Sequence, residues 1–329
     1  MRKLRTGVIG TGHMGKNHVR IAATEPCFDV VGIYDPDRAE AEAAAAPYGL
    51  TVFESMEELL EQVEAVTIAA PSSMHRELGL IAAEHGVHVL MEKPLATTSE
   101  DAHVLVKAFR EKNLKLQVGH VERFNPVIPE LDKLLKEEKV YFIEAKRYSP
   151  FNVSGRITDT GVIEDLMIHD VDLVCHLLEP ARVTEIKGVG KSMRSNDVDF
   201  ASCALIFDTG AYAVINASRV AQDKERTIVV HTPDSCITAD LLSRTLTVRR
   251  ETNLAMGGAN VGTYRQNSVI EKIFVPDQEP LRGEHLSFYE SVVNGAPVSV
   301  PGEFGARAIE ICEEVTRQVK ASWEKGEKT

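Results

Sequence analysis

Leu4-Arg5-Thr6-Gly7-Val8-Ile9-Gly10-Thr11-Gly12-His13-Met14-Gly15 is the stretch on which the fold turns. Leu4 to Ile9 is short and β-prone, and it gives way to three glycines spaced G-x-G-x-x-G. Lys16 to Thr24 then reads as a helix, and Val30 to Tyr34 as a second apolar strand that ends in Asp35. Strand, crossover helix and second strand make one parallel βαβ unit, because the return through a helix brings the second strand back in the same direction. Inside that unit each glycine has its own task. Gly10 permits the tight turn, Gly12 lets the backbone approach a pyrophosphate, and Gly15 allows helix and strand to pack closely, with the phosphates at the helix N-terminus. An ordinary strand-to-helix turn needs one such glycine, so three in this context point to a dinucleotide site.

The same alternation continues outward. An Ala-rich helix precedes Pro47, a Glu-rich helix starts at Met56, and Ala65 to Ala70 is apolar except for Thr67, as expected of a strand buried on both faces. Further strands follow at Val87 to Met91 and Leu116 to Gly119. This pattern specifies an α/β Rossmann domain with a doubly wound parallel sheet, expected over residues 1–122. Beyond His120 the pattern changes. A charged helix spans Pro129 to Glu138, Val140 to Tyr148 reads as a strand, and Ile163 to Leu178 as a helix. From Val183 onward β-prone runs dominate: Phe200 to Phe207 and Ala211 to Ala217 flank the hairpin signal Asp208-Thr209-Gly210, and two or three more lie between Thr227 and Arg250. Such short spacings favour antiparallel pairing. Residues 123–329 are therefore expected to form an α+β substrate-binding and oligomerisation domain, an open, mostly antiparallel sheet with helices on one face. Helices at Glu284 to Val293 and Gly305 to Val319 close the chain. The bare face of the sheet needs cover, and a second copy would supply it in a homodimer or homotetramer.

With 329 residues, 43% of them apolar, the chain can bury two cores. A net charge of -12 argues against nucleic acid as a partner, since phosphates are neutralised by clustered Lys and Arg. Cys27, Cys175, Cys203, Cys236 and Cys312 are scattered with no C-x-x-C pair, so they read as small core residues in a reducing compartment. The basic residues near Met1 run straight into the first strand without an export-type apolar segment, and no stretch reaches membrane-spanning length. A cytoplasmic protein with no membrane partner is expected.

Asp35 stands where the fingerprint requires an acid for the adenosine ribose hydroxyls, and its charge repels a 2'-phosphate, which favours NAD over NADP. Arg38 partly offsets that charge, and Asp35-Pro36-Asp37 is also an ordinary turn former. Met91-Glu92-Lys93-Pro94 follows a strand at its C-terminal end, where open α/β sheets bind ligands, and Pro94 would fix the turn that aims Lys93. Asp165, His169, Asp172 and His176 recur at spacings of four, three and four, one face of a helix that is otherwise mainly apolar. Such a stripe is either the wet surface of the helix or the lining of a site, and spacing alone favours the surface. Metal binding by His169, Asp172 and His176 is a third reading; no cysteine or third histidine joins the pattern, and no metal is assigned.

Together these motifs resemble the glucose-fructose oxidoreductase, inositol dehydrogenase and MocA (Gfo/Idh/MocA) family. The likeness covers essentially the whole chain. It runs through Gly10 to Gly15, Ala70-Pro71-Ser72-Ser73-Met74-His75, Glu92-Lys93-Pro94, Gly119-His120-Val121-Glu122-Arg123-Phe124-Asn125-Pro126, and Asp165 with His169 as D-x-x-x-H. In such enzymes the lysine of E-K-P and the D-x-x-x-H pair meet in the cleft between the domains. The resemblance thus implies Lys93, Asp165 and His169 as the catalytic set, and moves the helix stripe from surface to site. It also implies an NAD site drawn from Gly10, Thr11, Gly12, His13, Met14, Gly15, Asp35, Arg38, Glu92 and Lys93, with Pro71, Ser72 and His75 bordering the nicotinamide and its ribose. Arg123 matches an arginine near the cofactor or hinge, and reads equally as an ordinary interdomain ion pair.

The implied activity is that of an NAD-dependent dehydrogenase acting on CH-OH groups, with hydride transfer between a ring carbinol carbon and nicotinamide C4. His169 would take the hydroxyl proton, Lys93 would stabilise the developing alkoxide, and Asp165 would orient them or contact a second hydroxyl. Which of His169 and Lys93 is the formal base stays open. Arg156 to Val162 leading into Asp165 to Asp172, with Gly119 to Pro126, is similar to members that oxidise the C3 hydroxyl of UDP-N-acetylglucosamine-type sugars. Substrate contacts are then expected from Lys93, His120, Arg147, Arg156, Asp165 and His169, the arginines because a guanidinium fork matches phosphate geometry. The same arginines also read as surface charges. An inositol or free-sugar dehydrogenase is the alternative, and a non-enzymatic NAD-binding regulator a further one, although such a protein should lack the catalytic set.

Overall fold

A computed structural model of the protein describes residues 2–136, 138–151, 161–252 and 267–326. The chain divides into two compact units, Met1–Phe124 with Gln278–Glu313, and Asn125–Asp277 with Glu314–Thr329.

In the first unit the βα alternation runs β1 (Leu4–Ile9), α1 (His13–Thr24), β2 (Phe28–Tyr34), α2 (Arg38–Ala45), β3 (Thr51–Val52), α3 (Met56–Leu60), β4 (Ala65–Ile68), α4 (His75–Glu84), β5 (His88–Glu92), α5 (Ser99–Glu111) and β6 (Leu116–Gly119). All six strands pair in parallel in the order β3-β2-β1-β4-β5-β6. The order reverses at β1, which starts the glycine turn, so the switch point of the sheet falls where the fingerprint requires it. Helix starts are set locally: the side chains of Asp37, Ser55 and Thr98 accept backbone N–H groups at the starts of α2, α3 and α5. Val8, Ile33, Val19, Ala41 and Ala44 form the core on the α1 and α2 side.

The second unit begins with α6 (Val127–Leu135) and β7 (Phe142–Pro150), followed by a π-helical turn at Ile163–Met167 that continues as α7 (Ile168–Leu177). Then come β8 (Val183–Lys191), β9 (Phe200–Phe207), β10 (Tyr212–Ala221), β11 (Glu225–His231), β12 (Ser235–Asp240), β13 (Thr245–Thr252) and β14 (Asn267–Ile273). They form one sheet in the order β14-β13-β12-β11-β7-β10-β9-β8. Every pair is antiparallel except β7 with β10. The exception has a topological cause: the chain leaves β7 through a helix and not a hairpin, and reaches β10 running the same way. The period of two is strict, with Ile143, Ala145, Cys203, Leu205, Ala213, Ile215, Ile228 and Val230 all buried on the helix-covered face. The charged helix starts earlier than its sequence suggested, because Asn125 Oδ1 accepts the Val127 N–H and Pro126 suits a helix entry.

The two last helices are α8 (Pro280–Val293) and α9 (Gly302–Gly326). Residues 278–313, expected with the second domain, count with the first unit. The reason is apolar: Phe288 and Tyr289 of α8 pack against Leu4, Phe28, Ala65 and Leu90, closing a core that the first six strands leave open. The end of α9 serves the second unit, where Gln318 donates to Ile186 O and Trp323 Nε1–H to Gly190 O of β8. Among the described residues no helix is long and apolar enough to cross a membrane.

Candidate active site

Parallel pairing aligns Ile9 with Ile68, Ile68 with Met91 and Met91 with Val118. The segments that follow them, Gly10 to Gly15, Pro71 to His75, Lys93-Pro94 and His120 to Arg123, therefore all emerge at the C-terminal edge of one sheet. At the glycine turn Gly10 has φ +86°, and a Cβ on Gly15 would lie 2.0 Å from Gly10 O. Gly12 is different. It is exposed, a Cβ there would meet nothing within 4 Å, and it caps α1 without a side-chain hydrogen bond. The first turn of α1 carries no acid. An open, uncapped helix N-terminus of this kind fits a dinucleotide pyrophosphate, whose charge the free N–H groups and the helix dipole favour. His13 and Met14 sit beside it on the first turn.

Asp35 is held both as a turn former and against the glycine turn. Its Oδ2 accepts the Thr11 N–H at 2.6 Å and the Thr11 hydroxyl at 3.1 Å, while Oδ1 accepts the Asp37 N–H at 2.9 Å as an Asx turn. The carboxylate is thus held against the glycine turn. Arg38 is exposed and pairs with Glu42 and Glu54, which ties its charge to acids on the surface. Pro71 is exposed and Ser72 half-buried just after β4. His75 is buried, with Nδ1 2.8 Å from Pro94 O and Nε2 2.9 Å from Ala70 O, so it straps the segment after β4 to that after β5. Burial lowers its pKa, against the two carbonyl contacts that raise it.

Lys93 is half-buried at the end of β5 and precedes a cis peptide to Pro94. Glu92, expected among the cofactor contacts, turns inward instead. Its Oε1 lies 2.9 Å from His18 Nε2 and its Oε2 accepts the Lys93 N–H at 3.0 Å, so both oxygens are engaged behind the lysine. His18 Nδ1 is in turn 2.8 Å from His285 Nε2 of α8. Burial alone would raise the Glu92 carboxyl, but the hydrogen bond and charge of His18 and the charge of Lys93 hold it below the usual carboxylate range. Glu284, fully buried beside His285, is pushed well above that range by burial and then by the charge of Glu92. Sequence reading missed His18, Glu284 and His285. His120 and Arg123 are buried after β6, with the Arg123 guanidinium 5.1 Å from the centre of the Phe304 ring.

On the second unit, Asp165 lies in the π-helical turn and His169 at the start of α7. The Ile168 N–H reaches back five residues to Ile163 O, a register that a uniform α-helix over 163–178 does not have. Eight of the ten α7 residues are buried, including Asp170 and Asp172, while Asp165 and His169 stay half-buried. The stripe is therefore no wet surface. His176, at the far end, pairs with Asp132 at 2.9 Å. Among the described residues no three His, Cys, Asp or Glu side chains gather to hold a metal ion.

Arg147 corrects an expectation. It is 2% exposed, and its Nε and Nη2 donate to Asp170 Oδ2 and Oδ1 at 3.0 and 2.8 Å, so this fork clamps α7 to β7 and not a phosphate. Arg156 lies outside the described residues. The turn before Asp165 rests on a loop organised by Asp199, another residue the sequence did not single out. The Val162 N–H donates to Val198 O, and the Asp199 carboxylate accepts the N–H groups of Met193, Arg194 and Ser195 and the Arg219 Nε–H. Burial would raise this carboxyl; the hydrogen bonds, led by the Arg194 N–H, hold it far below its ordinary value.

Known proteins share this build. Residues 4–120 match the oxidoreductase family with NAD-binding Rossmann fold, and residues 139–236 the GFO/IDH/MocA C-terminal domain. The UDP-N-acetylglucosamine 3-dehydrogenase of Acidithiobacillus ferrooxidans is 31% identical over 321 residues, 98% of this chain and 99% of that one. Its solved structure superposes with a TM-score of 0.88 at 30% identity, covering 98% of this chain and 99% of that chain. An inositol 2-dehydrogenase of Rhizobium meliloti is 26% identical over 329 residues, 96% of this chain and 97% of the relative. The chain belongs to the Gfo/Idh/MocA family of oxidoreductases and is an NAD-binding dehydrogenase that acts on CH-OH groups.

Proposed function

We propose that this dehydrogenase oxidises a ring secondary hydroxyl of a sugar, namely C3 of a UDP-N-acetylglucosamine-type nucleotide sugar, with Lys93, Asp165 and His169 as its catalytic residues. The observation that carries the reading is Lys93 at the C-terminal edge of the same sheet as the glycine turn, half-buried and backed by fixed groups. The carbinol becomes a ketone: bound NAD supplies the hydride acceptor, and the hydroxyl proton goes to His169. Nδ1 of His169 is buried, so Nε2 is the nitrogen assigned to receive it. The Lys93 ammonium offsets the charge that grows on the departing alkoxide oxygen, and Asp165, one turn before His169, orients the imidazole or takes a neighbouring hydroxyl.

Gly10 to Gly15 with Asp35 hold the dinucleotide in this reading, and Pro71, Ser72 and His75 border its nicotinamide end. His120 and Arg123 line the site from the segment after β6. The likeness to the Acidithiobacillus enzyme over nearly the whole of both chains supports the nucleotide sugar. The inositol 2-dehydrogenase relative keeps an inositol or free-sugar substrate as the second reading. Five free cysteines fit a reducing, cytoplasmic setting. A homodimer or homotetramer through the second sheet is part of the proposal, supported by an outward face that presents Tyr212, Phe142 and His231 as a row of stacked rings. A monomeric mass in light scattering would count against it. The substrate is tested by NADH formation on adding UDP-N-acetylglucosamine, with myo-inositol and glucose as controls. Turnover confined to a control would replace the nucleotide sugar, and silence with all three while NAD still binds would refute each of these substrates and point to another CH-OH compound.

A further inference from the structure

We infer that His18 and His285 are positioning residues for Lys93, acting through Glu92 as a buried hydrogen-bonded chain that fixes the lysine from inside the first unit. The inference rests on the reading of Lys93 as catalytic. Lys93 N–H, the Glu92 carboxylate, the His18 imidazole and the His285 imidazole are linked in series at 3.0, 2.9 and 2.8 Å. These groups come from β5, α1 and α8, so residues 267 positions apart in sequence meet behind one backbone amide.

The direction of donation is constrained. Glu92 can only accept, so His18 Nε2 carries a proton and donates to Oε1. Burial drives the His285 imidazole well below its usual pKa and keeps it neutral. Its Nε2 then donates to a neutral His18 or accepts from a protonated one, and the chain is satisfied either way. From the other side His75 Nδ1 meets Pro94 O at 2.8 Å. The Lys93-Pro94 unit is thus gripped at its N–H by Glu92 and at its far carbonyl by His75, which fixes the backbone that carries the lysine side chain.

Cost separates this from simple packing. His18, Glu92 and His285 are 0%, 8% and 2% exposed, and burying a carboxylate with two imidazoles is less favourable than burying apolar side chains of the same volume. Such an arrangement needs a return, and the amide it reaches belongs to the lysine. Among the described residues, the titratable groups facing Glu92 are His18 on α1, Glu284 on α8, His75 at the start of α4 and Lys93 itself, with His285 behind His18.

The test compares His18→Phe, which keeps a ring but no donor, with His18→Gln, which keeps a donor, and with Glu92→Gln. NAD binding is followed by calorimetry and turnover with UDP-N-acetylglucosamine, or with whichever control sugar reduces NAD. His18→Phe is expected to lower kcat by about tenfold or more, the scale on which outer hydrogen-bond partners of metal ligands act. NAD affinity should stay within about twofold, since His18 is fully buried behind Glu92 and is not among the cofactor contacts proposed above. The acid limb of the kcat profile should move toward neutral pH, because a Glu92 that has lost its donor protonates more readily. His18→Gln should recover most of the turnover and the original profile. Glu92→Gln should lose turnover like His18→Phe but show no displaced acid limb. Wild-type kcat and pH profile in His18→Phe overturn the inference. If that variant does not fold, the same result in Glu92→Gln overturns it. Unimpaired turnover in Lys93→Ala would instead remove the catalytic reading of the lysine. Should no sugar turn over, nitrogen NMR of the imidazoles decides the chain by itself: a His18 Nε2–H signal unchanged by Glu92→Gln refutes it.

Discussion

Two alanine substitutions in the same glycine turn should do opposite things, and the difference follows from what each new methyl meets. At Gly12 the backbone is at φ -61°, ψ -162°, open to any residue, and a Cβ would have nothing within 4 Å. Losing a glycine cap costs a few tenths to 1 kcal/mol, and the stiffer unfolded chain returns about 0.4–1 kcal/mol, so Gly12→Ala should melt within roughly 2 °C of wild type. The methyl would nonetheless stand at the uncapped N-terminus of α1, where the pyrophosphate is proposed to approach. Losing one charge-assisted hydrogen bond there, about 1.5–3 kcal/mol, raises the Kd for NAD by roughly 10- to 150-fold. At Gly15 the new Cβ would lie 2.0 Å from Gly10 O and 2.8 Å from Gly10 C, both backbone atoms. A helical alanine gains about 1 kcal/mol over glycine, but forcing backbone apart costs about 1–3 kcal/mol or more, so Gly15→Ala should lose stability and melt several degrees lower. Calorimetric NAD titration and thermal melts of both variants read the two effects separately. A Gly12→Ala protein that binds NAD as wild type does would refute the placement of the phosphates, and a Gly15→Ala protein with an unchanged melting temperature would refute the packing argument.

Lys93→Ala and His169→Ala should each lower turnover by about 10²- to 10⁴-fold yet bind NAD normally; stopped-flow and steady-state rates check this, and near-normal rates in both would remove the mechanism. Asp170→Asn leaves the Arg147 guanidinium buried without its counter-charge, and denaturant melts should show a loss of about 3–5 kcal/mol; a loss under about 1 kcal/mol would mean that the clamp does not hold α7. Glu284→Gln reports on a carboxyl whose pKa is raised in the folded state. Between the unfolded value, near 4.3, and the raised folded one, the native protein binds the extra proton, so Glu284 makes wild-type stability fall by up to about 1.4 kcal/mol per pH unit as pH rises. The variant lacks that slope and should lose less melting temperature from mildly acidic to mildly alkaline buffer; parallel losses in both proteins would show that Glu284 ionises without penalty.

How far the site could be read in advance depended on whether its residues were local in sequence. The glycine turn, Asp35 and Lys93 sit within or just beyond strands whose apolar runs announce themselves, and parallel pairing alone carries their segments to one edge. Arg147 was also legible, though it was misread: Ile143 and Ala145 point inward, so the period of two puts Arg147 on the same buried face, where a guanidinium requires an acid such as Asp170. The π-helical turn at Ile163–Met167 left no mark, because one added residue per turn shifts the phase of a stripe without changing which residues are apolar.

The chain behind Lys93 was illegible for a different reason. Glu284-His285 lies in a helix that periodicity finds, but nothing in that helix says which sheet it covers. That choice is made by Phe288 and Tyr289 filling the gap beside Leu4 and Leu90. Once they do, the same face must bring Glu284 and His285 against Glu92 and His18, since residues three and four apart share one side of a helix. Apolar packing thus decides where a polar network forms, and it works through a segment that follows the whole second sheet. An E-K-P sequence consequently gives the position of the lysine proposed as catalytic without giving what fixes it; for that, the partner of Glu92 has to be sought wherever the fold returns a buried histidine to the first sheet.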